Sequence, residues 1–206
     1  MTRAPGKGPA GGAPTEALQS EPPTRTVGPV TDTLRPLDFH LIHESPYPIY
    51  QGEIPLDHGE IPAPVVVNLC GMHPQGNPYD KIVMGLALLD SVELDHLVAR
   101  RRLERFLESV HIHAGTAPTY WHCHAGINRA SFALSAYLHL YRGMRISQAI
   151  ALIRERRYAM CLCNALFEEV LRTWYGEPDE QDFEPVDIKT WLEQRTGKVD
   201  PDQWRG

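Results

Sequence analysis

His122-Cys-His-Ala-Gly-Ile-Asn-Arg-Ala-Ser131, in one-letter form HCHAGINRAS, separates a cysteine from an arginine by five residues that include a glycine. Cys123 and Arg129 at this spacing face one tetrahedral anion when the residues between them wrap around it. The backbone N–H groups of His124, Ala125, Gly126, Ile127, Asn128 and Arg129 then converge as an anion-binding nest that runs into a helix N-terminus. Arg129 adds a planar fork of donors suited to two oxygens of a phosphate. The same field favours thiolate over thiol at Cys123, which makes it a nucleophile at neutral pH. His122 is expected to support the loop beside that thiolate.

The flanking residues supply a strand and a helix. Thr119, Tyr120 and Trp121 are β-prone and lead into Cys123. After the loop, Phe132, Ala133, Ala136, Tyr137 and Leu140 recur at three- and four-residue steps, with Gly143 as a stop. Further out, Pro64–Leu69 (PVVVNL) reads as a central strand, since a continuous branched run suits a sheet covered on both faces. Leu97, Val98, Phe106, Leu107 and Val110 mark a helix face that Asp95 could cap. Ser147 is placed to cap a helix with Ile150, Leu152 and Ile153 inward, and Asn164 another with Phe167, Val170, Leu171 and Trp174 inward. The pattern predicts an α/β architecture with helices on both faces of the sheet.

The stretch resembles the signature loop of cysteine-dependent protein tyrosine phosphatases of the dual-specificity type, HC-x-x-G-x-x-R followed by Ser or Thr. His122, Cys123, Gly126 and Arg129 fall in place, whereas Ala130 stands where the hydroxyl residue is expected. In the family that hydroxyl helps the thiolate leave when the phosphoenzyme is hydrolysed. Ser131 lies about 100° further round the helix and is not expected to substitute. The resemblance covers 34–176 and implies a single domain of protein tyrosine phosphatase-like fold, with a central mostly parallel sheet and Ile49–Gln51 as the family's first strand. It also implies an acid aspartate roughly thirty residues before the cysteine, to protonate the leaving oxygen and then activate water. Asp90, which ends the apolar run Met84–Leu89 and stands 33 positions before Cys123, is assigned that role ahead of Asp95.

The ends differ from the core. Residues 1–33 hold six prolines and five glycines, and Leu18, Val27 and Val30 are their only branched aliphatics, so disorder is expected there. With no apolar run and balanced charge, this segment reads as neither a signal peptide nor a basic arm. The net charge is −6; the tail 177–206 carries −5 and the first 33 residues none, which leaves −1 for the core. Nucleic acid is therefore not an expected partner. Arg100, Arg101, Arg102 and Arg105 read as a solvated helix face. Within the tail, Val186, Ile188, Trp191 and Leu192 suggest one short helix. No apolar run reaches the length of a membrane span.

Cys70, Cys123, Cys161 and Cys163 lack disulfide-like spacing, which suits a reducing, cytoplasmic setting. Cys161 and Cys163 are expected to be packing residues. The pairs His111/His113 and His122/His124 have no accompanying carboxylate or cysteine set, so neither a metal nor another cofactor is expected. Three functions compete. One is a phosphatase acting on phosphotyrosine, phosphoserine or phosphothreonine in proteins through a phosphocysteine, with a phosphoinositide or another phosphate ester as a further substrate class. A second is a non-catalytic phosphate-binding module, suggested by Ala130. The third is an RNA 5′-triphosphatase, since Asn128 before Arg129 also occurs in that family, although Ala125 replaces its histidine.

Overall fold

Branched and aromatic runs form the strands: β1 Phe39–His43, β2 Ile49–Gly52, β3 Val65–Asn68, β4 Ile82–Gly85 and β5 Thr119–His122. These elements come from a computed structural model that describes residues 36–176 apart from 77 and 92–97. The expected disordered segment 1–33, the acidic tail 177–206 with its short helix, and Asp95 lie outside the described residues. The strands lie in the order β1-β2-β5-β3-β4; β1 pairs antiparallel with β2 and the other three pairs are parallel. The sheet is thus mostly parallel, and Ile49–Gln51 opens its second strand rather than its first. Sequence pattern missed β1 because its residues are mainly half-buried, with Phe39 at the exposed edge and two histidines in the run.

Four α-helices complete the described residues: α1 Arg100–Ala114, α2 Arg129–Arg142, α3 Ile146–Arg156 and α4 Ala165–Tyr175. All four contribute to the cluster that holds Val67, Leu69 and Trp121. Strand alternation sends Val66 and Tyr120 to the other face, where they pack with Ile61 and Ala63 beside a 3-10 turn at His58–Glu60. Both faces are covered, one by α-helices and one by the 3-10 turn and its loop. Tyr120 and Trp121 are fully buried on opposite faces, and truncating either to alanine should cost about 3–5 kcal/mol.

Helix α1 starts at Arg100 with Ala99 at its N-cap and no side-chain cap hydrogen bond. One cap differs from expectation: helix α3 has Arg145 at the N-cap, and Gln148 Oε1 accepts the Arg145 N–H at 3.1 Å, which leaves Ser147 inside the first turn. Asn164 caps α4 as its residue type suggests, accepting from the Leu166 N–H at 3.2 Å. The topology places β5 between β2 and β3, so its carboxyl end opens at the centre of the sheet's carboxyl edge. Crevices in open α/β sheets form there.

Candidate active site

The loop leaves β5 at Cys123 and enters α2 at Arg129, and its main chain is held from outside at four successive carbonyls. Ile54 N–H donates to the His124 carbonyl at 3.0 Å and Leu162 N–H to the Ile127 carbonyl at 3.1 Å. Arg157 Nη2 donates to the Ala125 carbonyl at 3.2 Å, and Gly126 O accepts from both Gln51 Nε2 (2.8 Å) and Arg157 Nε (2.9 Å). A trans peptide points its N–H opposite to its C=O. Four successive outward carbonyls, 124 to 127, therefore turn the N–H groups of Ala125 to Asn128 toward the concave side. Gly126 has φ +65°, and a Cβ there would collide with the Gly52 carbonyl at the end of β2. Only glycine meets both conditions.

Cys123 is 2% exposed at the base of this loop. Arg129 donates through Nη1 to the Leu88 carbonyl at 3.4 Å, and its buried Nε has no partner among the described residues. A buried guanidinium nitrogen left over in this way suits an incoming oxyanion. Cys123 and Arg129 both act electrostatically on Cys70, which follows β3: burial pushes the Cys70 thiol up, a backbone hydrogen bond at Met72 pulls it down, and the other two act in opposite senses. His122 lies fully buried against Tyr120, ring centroids 5.8 Å apart. Burial lowers its ring to about 4, against a backbone hydrogen bond at Cys123 and with His58 and His73 adding to the fall, so the ring is neutral at pH 7.

Asp90 is brought to the rim. Its Oδ2 accepts from Asn128 Nδ2 at 3.2 Å and its Oδ1 from Asn164 Nδ2 at 3.1 Å. Asn164 Nδ2 also reaches the Ser91 carbonyl at 3.0 Å. The Asn128 amide oxygen accepts from Cys163 Sγ and from the Asn164 N–H, each at 3.1 Å. Cys163 thus faces the loop rather than merely packing, whereas Cys161 is buried in the core. Leu162 between them has φ +61°, a costly conformation for leucine that holds the turn against the loop.

Several of these partners escaped sequence reading. Arg157 has a fully buried side chain that also donates to Gln51 O (3.2 Å) and pairs with Asp38 at 3.3 Å. Gln51 Nε2 donates to Ser131 Oγ at 2.8 Å as well as to the loop. The Ser131 hydroxyl is therefore engaged beneath the loop. Arginine and glutamine are common and mostly exposed, and nothing in their local sequence marks them as buried. Asn164 carried a signal, its cap position, but that signal speaks to helix start alone. Among the described residues, no group of three or more His, Cys, Asp or Glu is arranged to hold a metal ion. No helix there is long and apolar enough to cross a membrane.

No family model matches the chain, and no curated protein matches it in sequence. Solved structures do match. Human DUSP28 is 18% identical, covering 68% of this chain and 93% of that one, with TM-score 0.54. A mouse protein described as a dual specificity phosphatase, complexed with zinc tungstate, is 15% identical over 82% of this chain and 96% of its own, with TM-score 0.55. The human tyrosine phosphatase-like serine/threonine/tyrosine-interacting protein is 18% identical over 68% and 96%, with TM-score 0.52. The chain has the dual-specificity phosphatase-like fold of the protein tyrosine phosphatase superfamily.

Proposed function

We propose that this protein is a cysteine-dependent phosphatase that hydrolyses phosphate monoesters, with phosphotyrosine, phosphoserine or phosphothreonine in proteins as the substrate class. The observation that carries the reading is the run of four outward carbonyls, His124 to Ile127, which turns the intervening amides to the concave side of the loop that begins at Cys123 and ends at Arg129. A phosphoryl group seated there meets N–H donors and a guanidinium fork, the donor set that phosphoryl transfer requires. The Cys123 thiolate attacks phosphorus, and the P–O bond to the ester oxygen breaks as Asp90 gives that oxygen its proton. Asp90 then takes a proton from water, which attacks the phosphocysteine, and the S–P bond breaks to release inorganic phosphate and the thiolate. No cofactor enters these steps. The reducing, cytoplasmic setting that a thiolate enzyme needs belongs to the same proposal.

The test is hydrolysis of a small aryl phosphate. Cys123→Ser should remove activity, by about 10⁴-fold or more on the scale of lost nucleophiles. Arg129→Ala should nearly do so, and both should leave the circular dichroism spectrum unchanged. Activity retained in Cys123→Ser overturns the thiolate mechanism. One observation favours a second reading, a phosphate-holding module: the hydroxyl nearest to the expected position, on Ser131, is bonded to Gln51. Stoichiometric binding of vanadate without turnover would favour that reading.

A further inference from the structure

We propose that Asn128 and Cys163 are positioning residues that hold Asp90 in register with the phosphoryl group; this rests on the assignment of Asp90 as the acid. Asn128 sits in the anion loop itself, immediately before Arg129, so a side-chain hydrogen bond from it ties the acid to the loop directly. The direction of its amide is determined by its neighbours. Its Oδ1 receives the Asn164 backbone N–H at 3.1 Å, a group that can only donate, together with Cys163 Sγ at 3.1 Å. The NH₂ end must then face Asp90, whose Oδ2 it reaches at 3.2 Å.

Cys163 serves as a donor only as a thiol. Burial pushes its thiol up to about 11, against the Asn128 hydrogen bond and reinforced by the nearby Asp90 charge, so it carries its proton at neutral pH. The left-handed Leu162 presents this sulfur, because the same turn delivers the Leu162 N–H to the Ile127 carbonyl at 3.1 Å. Asp90 thus has one amide donor on each oxygen, Asn128 on Oδ2 and Asn164 on Oδ1. A carboxylate held at one oxygen still swings about that bond, whereas one held at both is fixed in plane as well as in place. Asp90 is exposed to water, so this two-point grip is what keeps it aimed.

Leaving-group dependence provides the test, because an acid matters for a poor leaving group and hardly at all for one that departs as an anion. The readout is the ratio of kcat/KM on phenyl phosphate to kcat/KM on 2,4-dinitrophenyl phosphate, in the full chain, because kcat/KM reports the step that cleaves the ester whichever step limits kcat. Asp90→Asn should lower this ratio by about 100-fold, the usual scale for a lost general acid. Asn128→Leu should lower it by about tenfold, since a misaimed acid keeps part of its effect. Cys163→Ala should lower it by roughly threefold, and Cys163→Ser, which keeps an O–H donor, should restore it. An equal fall on both esters in Asn128→Leu, or an unchanged ratio, overturns the positioning role while leaving Asp90 as the acid. A ratio unmoved by Asp90→Asn itself overturns the acid assignment and the positioning role with it. Equal ratios in Cys163→Ala and Cys163→Ser overturn the part given to the thiol.

Discussion

Beneath the loop between Cys123 and Arg129, the holding groups are buried: Gln51 is fully covered, Arg157 is 5% exposed, and both donate to main-chain carbonyls. At its mouth, Asp90 is open to solvent and is gripped through side-chain amides. The two sides differ in what a lost bond costs. A buried carbonyl deprived of its donor keeps the full desolvation penalty, about 1–3 kcal/mol, whereas an exposed group turns to water. The underside can therefore fix the loop's shape permanently. The mouth can hold a carboxylate firmly enough to aim it and loosely enough for it to exchange a proton with a leaving group and then with water. Damage below should cost stability and rate together, and damage at the mouth should cost rate alone.

Replacing Arg157 tests the underside hardest. Its guanidinium serves the Ala125, Gly126 and Gln51 carbonyls and pairs with Asp38. Arg157→Met keeps the stem and removes those donors, so the Ala125 carbonyl loses the guanidinium, the Gly126 carbonyl keeps only Gln51, and Asp38 keeps only the Tyr158 hydroxyl of its side-chain donors. Urea unfolding should show a loss of about 3–5 kcal/mol, since each buried acceptor that loses a donor costs about 1–3 kcal/mol. Turnover of an aryl phosphate should fall in parallel. A variant with wild-type stability and low activity would break the comparison, because the underside would then be acting as part of the chemistry instead of as its frame.

His122 sharpens the contrast through pH. Folding lowers its ring from the ordinary 6.5 to about 4, chiefly by burial. Between those values the unfolded chain binds the proton and the folded chain does not. Stability therefore falls as pH drops from 6.5 toward 4, by roughly 3 kcal/mol in all, with no contribution above 6.5. Comparing urea midpoints from pH 7 to 4.5 for the wild type and His122→Phe isolates this slope from that of His43 and His111, whose rings burial also lowers. Identical slopes would mean that the ring does not feel its burial.

The same division explains what the sequence disclosed. The strand, loop and helix over Thr119–Arg142 were legible because they are contiguous and each carries its own pattern, from β-prone residues to a three- and four-step apolar repeat. Asp90 was assigned through the family resemblance, and the structure places its carboxylate against the Asn128 side chain. Gln51 and Arg157 were not legible: they reach Gly126 across 75 and 31 positions, through side-chain nitrogens meeting main-chain oxygens, which leave no residue-type signal on the loop side. Cys163 read as packing because its partner, Asn128, lies 35 positions away. Strand β1 and the Arg145 cap were lost for a related reason. Partial burial at an edge and a cap in which the Gln148 side chain reaches back to the Arg145 N–H both depend on neighbours more than on the residue's own type.

Ala130 marks the place where the two sides meet, and restoring a hydroxyl there gives the smallest effect and the sharpest discrimination. Ala130 is fully buried in the cluster that includes Cys123, and the neighbouring Ser131 hydroxyl is turned down to Gln51 Nε2 at 2.8 Å. In Ala130→Ser, a hydroxyl left unpaired in that cluster would cost about 1–3 kcal/mol. One that bonds the departing thiolate would recover most of this and lower the barrier to phosphocysteine breakdown by about 1 kcal/mol, or roughly fivefold in rate. The expected outcome is a higher kcat, a smaller pre-steady-state burst and stability changed by less than about 1 kcal/mol. Lower stability with an unchanged kcat would mean that the added oxygen finds no sulfur to serve. The step limited by thiolate departure would then not be the slow one, and Ala130 would belong to the frame below the loop, as Ser131 does.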